Sequence, residues 1–367
     1  MIHIGINALY LIPGGVGGTE IYLRSLLAAL ADVDRTNRYT VFANRECGDE
    51  LAPRGWQTVV LPIRATNRPW RLIAEQTALP QAARRCGIQV LLNAGFTAPA
   101  LAPCPQVTVF HDLQHKRHPE HFRWFDLPAW RVMLRLAAVR SQRVIAVSKA
   151  TAADLQRYYG LGPDRVRVVP HGVDNRFFEI GRHRHPQRFL LCVSTLHPHK
   201  NIVRLLRAFH SFHNSHPDFR LVLAGIRGFH TEAIEKLIVS LKLGDAVTLT
   251  GWIPRDDVYT LYREAWAFLY PSTFEGFGMP VLEALAAGIP TACSSIPPLE
   301  EVAAGAVRYF PPTDEEQMAA ALEAIVTDEA LRLRLATEGP ARAALFSWQD
   351  CARQTLAVLE ETAALVR

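Results

Sequence analysis

The sequence predicts an α/β protein built from two doubly wound domains, each with a parallel sheet covered by helices. The chain has 367 residues, which is more than one hydrophobic core usually serves. Short apolar runs of strand length alternate with longer amphipathic runs, a pattern typical of parallel sheets. The alternation stops at residues 175–188, which are polar and rich in histidine and arginine, and then restarts. We therefore predict a linker there, with one domain at 1–175 and another at 176–348.

The composition is that of a soluble globular protein, with 49% hydrophobic and 20% charged residues. No uncharged apolar run reaches the roughly 18 residues of a membrane span, and the N-terminus begins as a strand and not as a signal peptide. The six cysteines are scattered singly, which predicts a reduced, cytoplasmic chain without a metal site. The net charge of +5 favours an anionic partner: a nucleotide, a phospholipid surface or a nucleic acid.

The N-terminal half begins with a predicted strand at 2–7, a glycine loop and a helix at 20–31. Four glycines occur within residues 14–18, so a ligand is expected to approach this backbone closely. The loop does not match the GxGxxG dinucleotide motif, and a mobile surface loop is the alternative. Further strands are predicted at 39–43, 58–61, 88–92, 106–110, 143–147 and 166–169.

His111 and Asp112 directly follow the predicted strand at 106–110. Ligands of open parallel sheets bind beyond the carboxyl ends of the strands, so both side chains are candidates for substrate contact. A hydrogen-bonded histidine with only a structural role is the alternative.

Two segments, at 70–85 and 122–140, mix tryptophan, arginine and leucine at helical spacing. Basic amphipathic helices with tryptophan can lie in a membrane interface. Helices that merely cover the sheet have much the same pattern, so both interpretations stay open.

The C-terminal half repeats the alternation, with strands predicted at 189–193, 220–224, 246–250, 266–270 and 291–294 and helices from there to the end. Residues 271–286 run from the fourth of these strands through a glycine loop into a helix, which is a natural anion site. Glu275 lies in that loop and Glu283 about one turn into the helix, so they are expected to reach different parts of one ligand. Lys200 lies just before another helix, the wrong end of its dipole for a cation unless an anion binds there. An ordinary turn with solvated glutamates is the alternative.

The segment FEGFGMPVLEALAAGIP resembles the E-x7-E segment of the GT4 family of retaining glycosyltransferases, which have the GT-B fold. Further segments match in the same order: GGVGGTE, VFHDL, VIAVSKATAADL, VVPHGVD, STLHPHKN, LVLAG and AGAVRYFPPTD. The resemblance covers nearly the whole chain. It implies two Rossmann-like domains facing a central cleft, with the last helix (about 349–367) crossing back to the N-terminal domain.

The resemblance also implies which residues act. Lys200 would neutralise the leaving diphosphate, Glu275 would bind hydroxyls of the donor sugar, and His111 would lie at its hydroxymethyl side. Glu283 would bind the ribose, and the segment 251–253 would lie beside the nucleobase. The full expected donor site is Gly17, Gly18, Thr195, His199, Lys200, Trp252, Ile253, Glu275, Gly276, Phe277, Gly278, Met279 and Glu283. Neither a metal nor a cofactor is expected.

One departure concerns the arginine that many family members carry shortly before the lysine. The corresponding positions here are Thr195 and His199. Phosphate neutralisation is then expected to depend on Lys200, on helix dipoles and on a protonated His199, or on an arginine from elsewhere such as Arg227.

The context of these motifs resembles bacterial mannosyltransferases of surface-polysaccharide assembly. We expect GDP-mannose as the donor and a saccharide or lipid-linked saccharide as the acceptor, with peripheral contact to an anionic membrane and no nucleic acid. A UDP- or dTDP-sugar donor, or an inactive sugar-nucleotide-binding subunit, is the alternative. Because Glu275 is expected at the far hydroxyls and not beneath the anomeric carbon, front-face substitution with retention is favoured over double displacement.

Overall fold

The computed structural model describes residues 1–15, 17–48, 50–122, 124–228 and 230–365. It divides into two compact units: Met1–Gly172 with Trp348–Arg367 (unit 1), and Val173–Ser347 (unit 2). The sequence placed the corresponding boundaries after residues 175 and 348. Val16 of the first glycine loop, Arg123 of the segment 122–140 and the last two residues of the helix predicted at about 349–367 lie outside the described residues.

Unit 1 contains a seven-stranded sheet in the order β3-β2-β1-β4-β5-β6-β7, and every neighbouring pair is parallel. Its strands are β1 (His3–Asn7), β2 (Arg38–Ala43), β3 (Gln57–Val60), β4 (Val90–Asn93), β5 (Gln106–Phe110), β6 (Arg143–Ala146) and β7 (Val166–Val168). Its helices are α1 (Gly18–Val33), α2 (Arg68–Gln76), α3 (Ala78–Arg85), α4 (Gln114–Arg117), α5 (Leu127–Arg140), α6 (Lys149–Tyr159) and α15 (Trp348–Ala364). The last of them packs on α1 and on β4 to β6.

Unit 2 contains a six-stranded sheet in the order β10-β9-β8-β11-β12-β13, again with parallel neighbours. Its strands are β8 (Phe189–Val193), β9 (Arg220–Ala224), β10 (Val247–Gly251), β11 (Ala267–Tyr270), β12 (Thr291–Ser294) and β13 (Arg308–Phe310). Its helices are α7 (Asn175–Arg182), α8 (Ile202–Ser215), α9 (Thr231–Ser240), α10 (Arg255–Glu264), α11 (Met279–Ala286), α12 (Pro297–Ala303), α13 (Glu315–Thr327) and α14 (Glu329–Ala343). The prediction of two doubly wound α/β domains is confirmed.

Buried strands and capped helices explain why these segments fold as they do. Every residue of β1 and of β11 is buried, as expected for strands covered on both faces. Helix α6 begins where the Ser148 side chain accepts a hydrogen bond from the Thr151 N–H at 3.0 Å, and it ends at Gly160 in the left-handed region.

The predicted linker at 175–188 is wrong for its first half, because Asn175–Arg182 forms helix α7. The Asp174 side chain caps the helix by accepting from the Arg176 N–H at 3.0 Å. Phe177 is completely buried, with its ring centroid 5.0 Å from those of Tyr259 and Tyr262. The polar residues of α7 occupy its outer face, and Phe177 is the residue of this helix that is buried. The polar average composition of the segment therefore gave no indication of a helix.

Strand β13 lies in a region predicted to be entirely helical, and that prediction is wrong. It spans only Arg308–Phe310 and pairs with β12, with Ala292 opposite Arg308. Three residues are too few for periodicity to identify a strand.

The two tryptophan- and arginine-rich segments are helical, although they are interrupted. The first is split at Thr77 into α2 and α3, and α5 of the second begins only at Leu127. None of the helices in the described part of the chain is both long and apolar enough to cross a bilayer.

Candidate active site

The candidate site of unit 2 lies where the strand order reverses. From β8 the chain proceeds to β9 and β10 on one side, while β11, β12 and β13 follow on the other. Lys200 follows β8, and Glu275 follows β11, its neighbour in the sheet. Open α/β sheets bind ligands at the carboxyl ends of the strands at such a switch point.

Lys200 and Glu275 form a direct ion pair, with the Lys200 Nζ 2.5 Å from the Glu275 Oε1. The same Nζ donates to the Tyr270 hydroxyl at 2.9 Å. The side chains of the pair are only 14% and 11% exposed, so little water screens their charges. An ammonium has three N–H donors, and the described residues take up two of them.

Hydrogen bonds from one backbone N–H and from the side-chain amide of Asn201 hold the loops of this pair in place. The Thr273 N–H donates to the His199 carbonyl at 2.8 Å. The Asn201 amide donates to the carbonyls of Pro271 at 3.0 Å and Pro312 at 2.7 Å. The bonds to His199 and Pro271 fix the loop after β8 to the loop after β11, and the bond to Pro312 ties the loop after β8 to the residues that follow β13. The ion pair is therefore built into the fold.

Tyr270 is the last residue of β11, and the sequence analysis did not identify it as a site residue. Burial, together with the nearby charge of Glu275, raises the pKa of Tyr270 well above its ordinary value. It therefore stays a neutral phenol beside the ion pair. The sequence feature that could have identified Tyr270 is its position at the carboxyl end of a predicted strand.

The second glycine loop enters α11 through Gly278, which has a φ of 109°. A Cβ there would lie 2.4 Å from the Cδ2 of the buried Leu299. Pro280 brings no N–H, and the Val281 N–H donates to the Gly278 carbonyl at 3.1 Å. The Met279 N–H is thus the first-turn donor that the helix geometry leaves for another partner.

Glu283 belongs to a second charged group. It is only 7% exposed, and its Oε1 accepts from an Arg255 guanidinium nitrogen at 2.7 Å. Its Oε2 accepts from the Tyr262 hydroxyl at 3.0 Å. The sequence analysis named Glu283 but missed both partners. Arg255 begins α10, where a cation opposes the helix dipole, the same signal that singled out Lys200.

The remaining expected residues of unit 2 lie in the loops at the same strand ends. Thr195 and His199 belong to the loop after β8, and the Thr195 carbonyl accepts from the His197 N–H at 2.8 Å. Trp252 directly follows β10 and is 60% exposed, with the half-buried Ile253 next to it. Gly276 and Phe277 are buried in the loop before α11.

Arg227, which the sequence analysis considered as a replacement for the missing arginine, is engaged at the surface. Its side chain is 64% exposed and pairs with Glu235 at 2.5 Å. Arg255 is the arginine that this unit brings to one of the predicted glutamates.

The first glycine loop lies in unit 1, at the switch point between β1 and β4. Gly17 precedes α1 with φ 57° and ψ −126°, a conformation that suits only glycine, and Gly18 is the first residue of the helix. The Gly14 N–H donates to Glu20 at 2.7 Å, and the Tyr10 hydroxyl donates to the Thr19 carbonyl at 3.2 Å. Contacts of its own unit therefore shape the loop.

His111 is buried in unit 1, and its Nε2 lies 3.0 Å from the Ala94 carbonyl. A carbonyl oxygen only accepts, so Nε2 carries the proton and Nδ1 is left as an acceptor. Burial lowers the pKa of His111 to about 4, although the bond to Ala94 opposes the shift. His111 is therefore neutral at physiological pH and can accept a hydrogen bond, but it is a poor acid.

Aromatic side chains that the sequence analysis did not identify surround His111. The ring centroid of Tyr22 lies 4.7 Å away, that of Phe96 5.1 Å and that of His171 5.5 Å. Trp348, at the start of α15, packs on His171 with a centroid distance of 5.9 Å. These residues come from four distant segments, so no local pattern could have grouped them.

One group of described residues has the arrangement of a metal-ligand set: His118, Glu120 and His121, whose ligand atoms all lie within 4.8 Å of one another. The group lies in unit 1 and includes none of the predicted site residues. The His118 Nδ1 is 3.0 Å from the Glu120 Oε1.

The fold is that of a GT-B glycosyltransferase. Residues 16–177 match the model of Glycosyltransferase Family 4, and residues 173–342 match the model of Glycosyl transferases group 1. The chain belongs to this glycosyltransferase family and is a transferase enzyme, as the resemblance predicted.

Two relatives and one solved structure illustrate the similarity. The chain is 27% identical over 265 residues to O-antigen chain mannosyltransferase B of Escherichia coli, covering 68% of each. It is 24% identical over 331 residues to O-antigen chain mannosyltransferase RfbU of Salmonella typhimurium, covering 87% of this chain and 90% of the relative. Its fold matches sucrose-phosphate synthase from Thermosynechococcus elongatus with a TM-score of 0.81, at 22% identity and over 100% of both chains.

Proposed function

We propose that this glycosyltransferase moves mannose from GDP-mannose to a saccharide or lipid-linked saccharide, with retention of configuration and without a metal or cofactor. The observation that carries the proposal is the Lys200–Glu275 pair, 2.5 Å apart at the switch point of unit 2. The choice of mannose rests on two similar proteins, both O-antigen chain mannosyltransferases. A UDP- or dTDP-sugar donor is the alternative within the same mechanism.

Lys200 stabilises the diphosphate as it leaves. Negative charge grows on the diphosphate oxygens in the transition state, and an ammonium in a poorly hydrated site stabilises it more than water would. Glu275 and Tyr270 use two of the ammonium's donors and fix its position. The third donor is left to bind the diphosphate in this proposal. The Met279 N–H adds a neutral donor at the start of α11.

Glu275 binds sugar hydroxyls as a hydrogen-bond acceptor. Its Oε1 is engaged by Lys200, which lowers its reactivity as a nucleophile, while its remaining lone pairs can accept from hydroxyls. We therefore favour front-face substitution, in which the departing diphosphate takes the proton of the attacking acceptor hydroxyl. A covalent glycosyl-enzyme trapped on Glu275 or Asp112 would rule this route out.

Glu283 binds the ribose, and Trp252 stacks on the nucleobase. A carboxylate suits a pair of neighbouring hydroxyls, and an exposed indole offers a face for stacking. In unit 1, the Nδ1 of neutral His111 accepts a hydrogen bond that a sugar hydroxyl donates, and the backbone of Gly17 and Gly18 approaches the donor.

The surface of unit 1 supports peripheral contact with an anionic membrane on its cytoplasmic side. Trp70, Trp124 and Phe125 are 63%, 83% and 56% exposed. On the neighbouring α5, Leu134 is buried, which explains part of the amphipathic pattern by sheet packing, but Val132 is 57% exposed. Exposed aromatic residues beside arginines are typical of proteins that lie in an interface.

Hydrolysis of nucleotide-sugars in the absence of acceptor tests the proposal. GDP-mannose, UDP-glucose, UDP-N-acetylglucosamine and dTDP-rhamnose are compared, with Lys200→Ala as the control for contaminating hydrolases. We expect Lys200-dependent turnover of GDP-mannose that survives EDTA. Turnover of another donor alone would refute the mannose assignment, loss with EDTA would refute metal independence, and binding of no donor would refute the proposed activity.

Flotation with anionic and neutral liposomes at low and high salt tests the membrane contact. We expect flotation with anionic liposomes only, weakened by salt and by the double change Trp70→Ser and Trp124→Ser. The control is Trp252→Ser, which alters an exposed tryptophan of unit 2. Equal flotation of the double variant and the wild type would contradict this surface.

A further inference from the structure

Arg255 occupies a position that ordinary helix preferences disfavour. It is the first residue of α10, where the helix dipole repels a cation, and the next two residues are Asp256 and Asp257, which suit that end. Residues that break a local rule commonly serve a site. The contacts of Arg255 therefore indicate its role.

The Arg255 guanidinium lies over two aromatic rings and against one carboxylate. Its central carbon is 5.0 Å from the Phe177 ring centroid and 4.9 Å from that of Tyr259. One nitrogen donates to the Glu283 Oε1 at 2.7 Å. Burial lowers the pKa of Arg255, but the charge of Glu283 and this hydrogen bond raise it by more than burial lowers it. The net pKa lies above the ordinary value of arginine, so the guanidinium stays charged. The rings restrict the side chain to one orientation.

Glu283 is fixed from its other side by Tyr262. The Tyr262 hydroxyl donates to the Oε2 at 3.0 Å, and the tyrosine itself is fully buried. Each carboxylate oxygen thus accepts one bond from the protein. A carboxylate has about four acceptor positions, so it can still accept from two neighbouring hydroxyls.

The charge of Arg255 also matters for a donor with two phosphates. A buried carboxylate that has no cationic partner would be repelled by the negative charge of a nearby diphosphate. The Arg255 guanidinium, whose nitrogen lies 2.7 Å from the Glu283 Oε1, offsets that repulsion.

We infer that Arg255 and Tyr262 are positioning residues that hold the Glu283 carboxylate oriented for the ribose diol, and that Arg255 does not itself bind the donor. The inference rests on the proposed function, in which Glu283 binds the ribose. Helices α7 and α10 pack together. Their residues Phe177 and Tyr259 form the surface on which Arg255 lies.

The test compares the affinity for GDP with that for 2′-deoxy-GDP in the wild type and in variants, by titration calorimetry of the full chain. If the donor screen selects another base, its own diphosphate pair is used. In the wild type we expect the ribonucleotide to bind roughly tenfold to a hundredfold more tightly, the effect of hydrogen bonds to a charged group. Arg255→Gln and Tyr262→Phe should reduce this ratio towards one by weakening GDP alone, and Arg255→Lys should restore it in part.

The control is Arg176→Gln. Arg176 also stacks on Tyr259, at 4.0 Å, but pairs with Asp256 and not with Glu283, so the ratio should not change. Equal weakening of both nucleotides by Arg255→Gln would mean direct contact with the diphosphate or general damage, and would overturn the inference. Glu283→Ala distinguishes the two ways in which the inference can fail. If Glu283→Ala also leaves the ratio of GDP to 2′-deoxy-GDP affinity unchanged, the assignment of Glu283 to the ribose is wrong. If Glu283→Ala brings that ratio to one while Arg255→Gln does not, only the role of Arg255 is wrong.

Discussion

The charged candidate residues of unit 2 are paired ions, whereas His111 of unit 1 is a buried neutral ring. In unit 2, Lys200 pairs with Glu275, and Arg255 pairs with Glu283, at 2.5 and 2.7 Å. In unit 1, His111 is buried among aromatic rings, and burial lowers its pKa to about 4. Both sets lie at the carboxyl ends of a parallel sheet, so the fold alone does not account for the difference.

The difference follows from where the proposed reaction develops charge. In the proposed reaction the leaving diphosphate gains negative charge, and unit 2 offers Lys200, an ammonium that Glu275 and Tyr270 already orient. A sugar hydroxyl carries no net charge, so a neutral histidine acceptor is sufficient in unit 1. Charged residues in that buried position would pay a desolvation cost without a partner.

The largest expected effect is that of Lys200→Ala. We expect kcat to fall by roughly a hundredfold to a thousandfold with the donor KM changed only a few-fold, because the ammonium acts mainly on charge that develops in the transition state. Initial rates over a range of donor concentrations measure both constants. Lys236→Ala, which changes an exposed, paired lysine of the same unit, should match the wild type. A change confined to KM would assign Lys200 to ground-state binding and remove the contrast between the units.

The two glycine loops should differ in their tolerance of a side chain. Gly278→Ala should destabilise unit 2 by about 2–4 kcal/mol, from the backbone strain of φ 109° and from a Cβ 2.4 Å from Leu299. Gly17→Ala should cost about 1–2 kcal/mol, because its φ is 57° but nothing lies within 4 Å of the added Cβ.

Urea unfolding followed by circular dichroism measures both glycine substitutions. Gly305→Ala separates strain from collision within unit 2, since Gly305 has a φ of 94° and open space around its Cβ. If Gly278→Ala lowers the free energy of unfolding by no more than Gly305→Ala does, the contact with Leu299 does not contribute to the loss of stability.

The histidines predict a loss of stability in acid for unit 1. Burial lowers the pKa values of His111 and His115 to about 4, and for His115 the charges of Lys116 and Arg131 add to the effect. The unfolded chain binds these protons near pH 6.5, so stability falls as the pH decreases from 6.5 towards 4, by about 2 kcal/mol per histidine at pH 5. Denaturation at pH 7 and pH 5 measures the loss.

His115→Gln isolates one of these contributions. The amide can still bond to Tyr159, which lies 2.7 Å from the His115 Nε2, but it does not titrate. The difference in unfolding free energy between pH 7 and pH 5 should shrink by about 2 kcal/mol. An unchanged difference would show that His115 is not a source of the acid sensitivity.

The smallest expected effect is that of Arg227→Gln. Its pair with Glu235 is at the surface, and such pairs contribute about 0–1 kcal/mol, so donor KM and kcat should stay within about twofold of the wild type. The same kinetic assay measures it. A loss comparable to that of Lys200→Ala would make Arg227 the missing phosphate-binding arginine and show that the charged site of unit 2 is larger than its ion pairs.

Much of the fold and part of the site could be predicted because their signals are local. Alternating strand and helix patterns gave the two doubly wound units, and glycine loops before helices singled out Gly17, Gly278 and Glu275. The predictions were wrong where the average polarity of a short segment does not indicate its secondary structure. The polar helix α7 has one buried anchor in Phe177, and β13 is only three residues long.

The sequence by itself determined the fold class, the glycine loops and which charged residues stand at strand and helix ends. Only the tertiary structure decided which of them meet. Lys200 and Glu275 are 75 positions apart, and Arg255 and Glu283 are 28 apart. They come together because a parallel sheet whose strand order reverses collects the carboxyl ends of non-consecutive strands at one edge. Partners across such an edge are set by strand order and packing, which no spacing along the chain records.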